Sequence, residues 1–136
     1  MTILLGNSAR KLLDAAHPAV LATVNRDGSP QTSVVWVGRD GNDILISTQA
    51  GRLKDRNLRR DPRASLTIYD PADLDVYVEI RGTTTITEDI GRRLAVELAE
   101  KYEGPGAGTE YLNLPPESIR VIIRLTPTRI TGTATN

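Results

Sequence analysis

The sequence predicts a mainly β protein of α+β character: one antiparallel barrel of six strands, closed or half-closed, flanked by two or three short helices. Three observations carry this prediction. Six short runs rich in Val, Ile, Leu and Thr recur along the chain. The turns between the first of them are tight and leave no room for the crossover helix that parallel pairing requires. An open sheet of six strands would also expose two unpaired edges, which closure hides. At 136 residues the chain fits a single domain with a single core.

The elements follow in order. Residues 7–16, NSARKLLDAA, suit a short helix with Asn7 or Ser8 as N-cap and Leu12 and Leu13 facing inward. His17-Pro18 ends it, because the residue before proline is pushed out of the helical region. AVLATVN at 19–25 reads as a strand and QTSVVWV at 31–37 as its return, with Asp27-Gly28 supplying the positive φ of a hairpin turn. The return strand has two faces, Thr32, Val34 and Trp36 against Gln31, Ser33, Val35 and Val37. RDGND then leads to ILIST at 44–48, so these three strands are expected to form a meander. A basic helix near 52–60 is closed by Asp61-Pro62 and followed by ASLTIY at 64–69. After the turn DPADLD comes a long strand at 76–87, with Gly82 marking a bulge or bend. A helix over 89–102 places Ile90, Leu94, Leu98 and Tyr102 on one stripe and stops at Gly104. The loop GPGAGTEYLNLPP is long enough to act as a lid, and SIRVIIRLT at 118–126 alternates Ile119, Val121, Ile123 and Leu125 against Ser118, Arg120, Ile122 and Arg124.

Composition narrows the functional classes. No apolar run approaches the ~20 residues needed to cross a bilayer, and the start turns polar after three apolar residues. A cytoplasmic protein without membrane association is the expectation. With no cysteine and a single histidine, His17, neither thiolate chemistry nor a zinc or iron site is expected. His17 reads as structural and Trp36 as an anchor of the barrel or of an interface. The carboxylate pairs Asp73/Asp75 and Glu97/Glu100 lie in a turn and on a solvated helix face, and no Ser-His-Asp pattern is present. No residue of the chain is therefore expected to be catalytic in itself. Tyr111 in the long loop is a candidate for touching substrate.

Formal net charge is zero, yet residues 51–63 hold six basic residues against Asp55 and Asp61, a local surplus of about four charges. Arg56, Arg59 and Arg60 read as a solvated face, with Arg59 placed to pair with Asp55 one turn earlier. Arg52 and Lys54 are different. They fall in the first turn, where the helix dipole disfavours cations and outward-pointing N–H groups favour an anion. A phosphate among them accounts for both. Nucleic-acid binding is the rival, and zero net charge, few aromatics and no nucleic-acid motif count against it.

The run VLATVNRDGSPQTSVVW, then ILIST, then GRLKDRNLRRDPRASL resembles the split-barrel family of flavin- and deazaflavin-dependent oxidoreductases. That family includes pyridoxamine 5′-phosphate oxidase, and the match is closest to its actinobacterial branch that uses coenzyme F-420. The most specific part is R-x-K-x-x-N-L-x-x-D-P-R-A-S, carried by Arg52, Lys54, Asn57, Leu58, Asp61, Pro62, Arg63, Ala64 and Ser65. The hairpin A-T-V-x-x-D-G-x-P-x-x-S supports it.

The resemblance implies an FMN-binding type of split barrel in which Arg52, Lys54 and Asn57 hold the phosphate-bearing tail of the coenzyme. Gln31, Ser33, Ser47 and Thr48 would line the ring site. It also implies a homodimer with a cofactor site at each subunit junction, and Tyr77 and Val78 are the candidates to reach across. Pyridoxamine phosphate oxidases have adjacent Arg-Lys in this helix and a longer C-terminal segment. Here Leu53 precedes Lys54 and the sequence closes on TGTATN, which points away from pyridoxal chemistry. The implied activity is deazaflavin-dependent hydride transfer to a small, electron-poor organic substrate. FMN is the alternative cofactor, and a non-catalytic F-420 carrier the alternative function. The arginines beyond Lys54 favour F-420 through its acidic oligoglutamate tail.

Overall fold

In the computed structural model, which describes residues 3–136, seven strands form one antiparallel sheet. They are β1 (Ala19–Val24), β2 (Pro30–Val35), β3 (Gly38–Asp40), β4 (Asp43–Gln49), β5 (Arg63–Asp70), β6 (Asp73–Glu88) and β7 (Arg120–Gly132). The helices are α1 (Asn7–Asp14), α2 (Leu53–Arg60), α3 (Arg93–Glu103) and the single turn α4 (Thr109–Leu112). The strand order is β2-β1-β5-β6-β7-β4-β3. Its two end strands, β2 and β3, are joined by only Trp36 and Val37. A covalent link that short brings the two edges of the sheet together, so the sheet curls into a barrel with a seam at this crossing. Val35 and Val37 on either side of Trp36 join Leu21, Ile44, Ile46, Leu66, Ile68, Ile80, Ile123 and Leu125 in one core.

Two sequence expectations are corrected by this order. The run 31–37 is broken at Trp36, and its continuation, β3, pairs with β4 through Arg39–Ile44 and Asp40–Asp43. The turn at Gly41-Asn42 is therefore a hairpin, but it joins β3 to β4. The expected meander of three strands does not form, because β2 and β4 lie near opposite ends of the sheet. A seventh strand appears for the same reason: a three-residue strand gives no periodic signal. The last strand also runs on past Pro127 to Gly132. Proline interrupts a strand pattern in sequence, but here it sits at a register shift, where Arg81 pairs with Arg129 and Gly82 with Pro127, leaving Thr128 as the extra residue. Gly82 is needed opposite that bulge, since a Cβ there would stand 2.0 Å from the carbonyl oxygen of Thr126.

The helix ends also differ from the sequence reading. Gly6, not Asn7 or Ser8, is the N-cap of α1. A 3₁₀ turn at Ile90–Arg92 precedes α3, so Ile90 leaves the expected stripe and lies 76% exposed, while Leu94, Ala95, Leu98 and Ala99 are buried. Asp89 caps α3 from outside it: the N–H groups of Leu94 and Ala95 donate to its carboxylate, each at 3.1 Å. Tyr102 fastens α3 to the barrel. Its hydroxyl donates to the His17 carbonyl at 2.7 Å and accepts from the Val37 N–H at 3.2 Å, and its ring stacks on Trp36 at 5.4 Å.

Candidate functional site: a cationic groove at the barrel seam

β4 delivers the chain to α2 through Gly51, whose φ of 92° turns it sharply. The turn is locked by Asp55, which is 2% exposed: the Gly51 N–H donates to one carboxylate oxygen and Arg59 Nε to the other, both at 2.8 Å. Arg52 is the N-cap, and its side chain makes no capping hydrogen bond among the described residues. The first intrahelical bond runs from Arg56 N–H to the Arg52 carbonyl at 3.0 Å. The N–H groups of Leu53, Lys54 and Asp55 precede it and point out of the helix start, which favours an anion there.

Lys54 lies half-buried in a groove of about 220 Å³ beside the seam, together with Trp36, Ser47, Tyr111 and Arg120. Burial, with the charges of Arg52 and Arg120 added, holds its ammonium below the usual lysine value. Arg120 enters from β7. Its Nη2 donates to Ser47 Oγ at 2.8 Å, its guanidinium carbon lies 5.1 Å from the centroid of the Tyr111 ring, and among the described residues its buried Nε has no partner. Burial lowers its pKa, with Tyr111 and Asp89 opposing and Arg52 and Arg92 adding to the depression.

Arg124 is the internal control: on the same strand face it bonds to Asp40 and Asp43 at 3.0 and 3.1 Å, and its pKa is raised. Among the described residues no carboxylate forms an ion pair with Arg52, Lys54 or Arg120. Lys54 and Arg120 are half-buried, with exposed Arg52 adding to their field. Half-buried cations without a counter-charge are destabilised, and an oxyanion would relieve them. The residues therefore fit a phosphate group.

The other expected site residues divide. Ser47 faces the groove, whereas its neighbour Thr48 is 5% exposed and points inward, since adjacent strand residues face opposite sides. Asn57 is 1% exposed and its side-chain amide is already engaged, Nδ2 donating to Thr23 Oγ1 at 3.0 Å and Asn25 Oδ1 at 2.9 Å while Oδ1 accepts from Arg60 at 3.1 Å. Gln31 accepts from the Thr23 hydroxyl at 2.5 Å, and the Ser33 hydroxyl is buried without a partner among the described residues. Neither lines the groove, to which β2 contributes its last residues instead. Val78 is fully buried in the core and its side chain reaches no surface, while Tyr77 is 37% exposed on β6, away from the groove of its own chain.

Arg120 was not foreseen. Alternation places it correctly on the polar face of the last strand, but only the pairing of β7 with β4, Gln49 opposite Arg120 and Ser47 opposite Ile122, brings it to Lys54. Arg56, Arg59 and Arg60 lie exposed along a separate open groove with Arg26.

Comparison with known proteins agrees with this architecture. The family model described as pyridoxamine 5′-phosphate oxidase matches residues 5–134. A solved structure named as an F-420 reductase is 31% identical, with 90% of this chain and 94% of that one covered and a TM-score of 0.77. A conserved hypothetical protein from Mycobacterium tuberculosis is 26% identical over 95% of this chain and 84% of its own, with a TM-score of 0.75. A pyridoxamine 5′-phosphate oxidase-related, FMN-binding protein from Nostoc punctiforme shares the fold at 17% identity, covering 84% of this chain and 72% of its own with a TM-score of 0.62. The chain belongs to the split-barrel family of pyridoxamine 5′-phosphate oxidase.

Proposed function

We propose that this protein is a coenzyme F-420-dependent oxidoreductase acting on an electron-poor organic substrate. One observation supports the reading above all: Arg52, Lys54 and Arg120 gather near the start of α2, and among the described residues no carboxylate forms an ion pair with any of them. The likeness to an F-420 reductase at 31% identity favours this cofactor over FMN. When bound, the deazaflavin would supply the hydride chemistry itself, which explains a groove without an acid–base pair.

The work of the chain is then binding and orientation. Lys54, Arg52 and the free N–H groups of α2 hold the phosphate, and Ser47 and Arg120 fix the adjoining part of the molecule. Asn57 acts indirectly, tying α2 to the Asn25 corner of the β1–β2 hairpin and so setting where Lys54 stands. Gln31, Ser33 and Thr48 support the barrel rim behind the groove. The protein acts as a homodimer in the cytoplasm, with exposed Tyr77 of each chain available to the partner's site.

Titration with F-420 and with FMN, followed by fluorescence for wild type and Lys54→Ala, tests this. Submicromolar F-420 binding that weakens at least tenfold in the variant, with poorer FMN binding, supports the reading; preferential FMN binding would sink the cofactor assignment. Steady-state reduction of nitroaromatic and quinone acceptors then separates an enzyme from a carrier.

A further inference from the structure

Among the described residues, Arg92 is the one non-glycine with a positive φ, 57°, and it follows Gly91 at 74°. A side chain disfavours this left-handed region, so something must hold the turn. The guanidinium does so with four bonds into one loop. Nη1 donates to the carbonyls of Tyr111 at 3.0 Å and Leu114 at 2.7 Å, and Nη2 to those of Pro115 at 2.5 Å and Ser118 at 3.1 Å. A planar fork of donors suits such a set of acceptors, which a single ammonium serves poorly. The loop thus fastened is the one that lays the Tyr111 ring over Arg120.

We propose that Arg92 is a positioning residue for the cationic groove: by fastening the segment 111–118, which begins in α4, it holds Tyr111 over Arg120, and the covered guanidinium then takes one oxygen of the oxyanion bound at Lys54. This rests on the reading of the groove as an anion site. The stacked ring keeps water from one face of the guanidinium and fixes its plane, which strengthens its attraction for an anion. Among the described residues the buried Nε of the same guanidinium has no hydrogen-bond partner, which is a cost that the unliganded protein carries.

Trp36 is the only tryptophan and lines the groove, so its emission reports binding directly. Inorganic pyrophosphate, titrated at constant ionic strength, is the probe. Tyr111→Leu and Arg92→Ala should each weaken its binding roughly five- to tenfold, within the range of one partly desolvated cation–π contact. Tyr111→Phe, which keeps the ring, should bind like wild type. The double variant Arg92→Ala/Tyr111→Leu should bind no more weakly than either single one, because both changes remove the same contact.

Additive losses, or single variants that bind like wild type while Lys54→Ala does not, overturn the positioning role and leave the anion site standing. Pyrophosphate binding that survives Lys54→Ala, or none by wild type, overturns the anion site and this inference with it. Should Arg92→Ala not fold, Arg92→Lys is read in the same cycle.

Discussion

Arg120 Nη2 and Ser47 Oγ meet at 2.8 Å as diagonal neighbours across the β4–β7 pairing, since Ser47 stands opposite Ile122 and Arg120 opposite Gln49. That bond places a strand-borne guanidinium beside a helix-borne ammonium separated from it by more than sixty residues of sequence. Like charges are brought together in a half-buried groove, so the arrangement works against the stability of the unliganded protein.

Lys54→Met should therefore abolish anion binding and raise the melting temperature of the unliganded protein near neutral pH by about 1–3 °C. The folded chain holds Lys54 below 10.5, so between that lowered value and 10.5 the unfolded chain binds more protons and stability from this group rises with pH. Lys101, also depressed by burial, gives a similar rise in both proteins. Melting curves from pH 7 to 10.5 should accordingly converge for wild type and variant, and a gap that widens with pH would contradict the assignment.

Asn57→Ala should act on stability more than on the ligand. It removes two donated bonds and one accepted bond at a 1% exposed position, leaving Thr23 Oγ1 and Asn25 Oδ1 without the donor they share, a loss of about 1–3 kcal/mol in urea unfolding. F-420 affinity should fall less than in Lys54→Ala. A loss as large as that of Lys54→Ala without destabilisation would show direct contact instead.

Tyr102→Phe leaves the buried Val37 N–H without its acceptor while keeping the stack on Trp36. The expected cost is about 1–2 kcal/mol. The emission maximum of Trp36 should stay in place, and a red shift would mean that the hydroxyl, not the ring, orders the tryptophan.

Gly82→Ala should be among the most damaging small changes in the barrel. Its Cβ would meet the backbone oxygen of Thr126 at 2.0 Å, which no side-chain movement relieves, so β6 and β7 must separate. A loss of about 3 kcal/mol or more is expected by chemical denaturation.

Much of the site was legible because it is local. The first turn of α2 puts Arg52, Lys54 and three unbonded N–H groups together whatever the rest of the chain does, and Asp55–Arg59 follows from helical spacing. The division of the 31–37 run into two faces was equally local, with Val35 and Val37 on one side and Val34 on the other, but only the structure shows that the Val35/Val37 side faces inward. What local pattern missed has a common cause. β3 is too short to show a period, Ile90 is turned outward by a left-handed pair at Gly91 and Arg92, and Pro127 hides a strand that continues through a bulge.

The sequence by itself determined the fold class, the strand faces and the cationic helix start, because backbone preferences and side-chain alternation act over a few residues. Which strands pair was decided only by the tertiary structure, since closing the sheet at Trp36–Val37 sends β2 and β4 towards opposite ends of it. The same closure selects Arg120 and Tyr111 as neighbours of Lys54 and turns Asn57, Thr48 and Val78 inward. Pairing partners distant in sequence are chosen by burial of one shared core, and that choice leaves no mark in any single stretch of the chain.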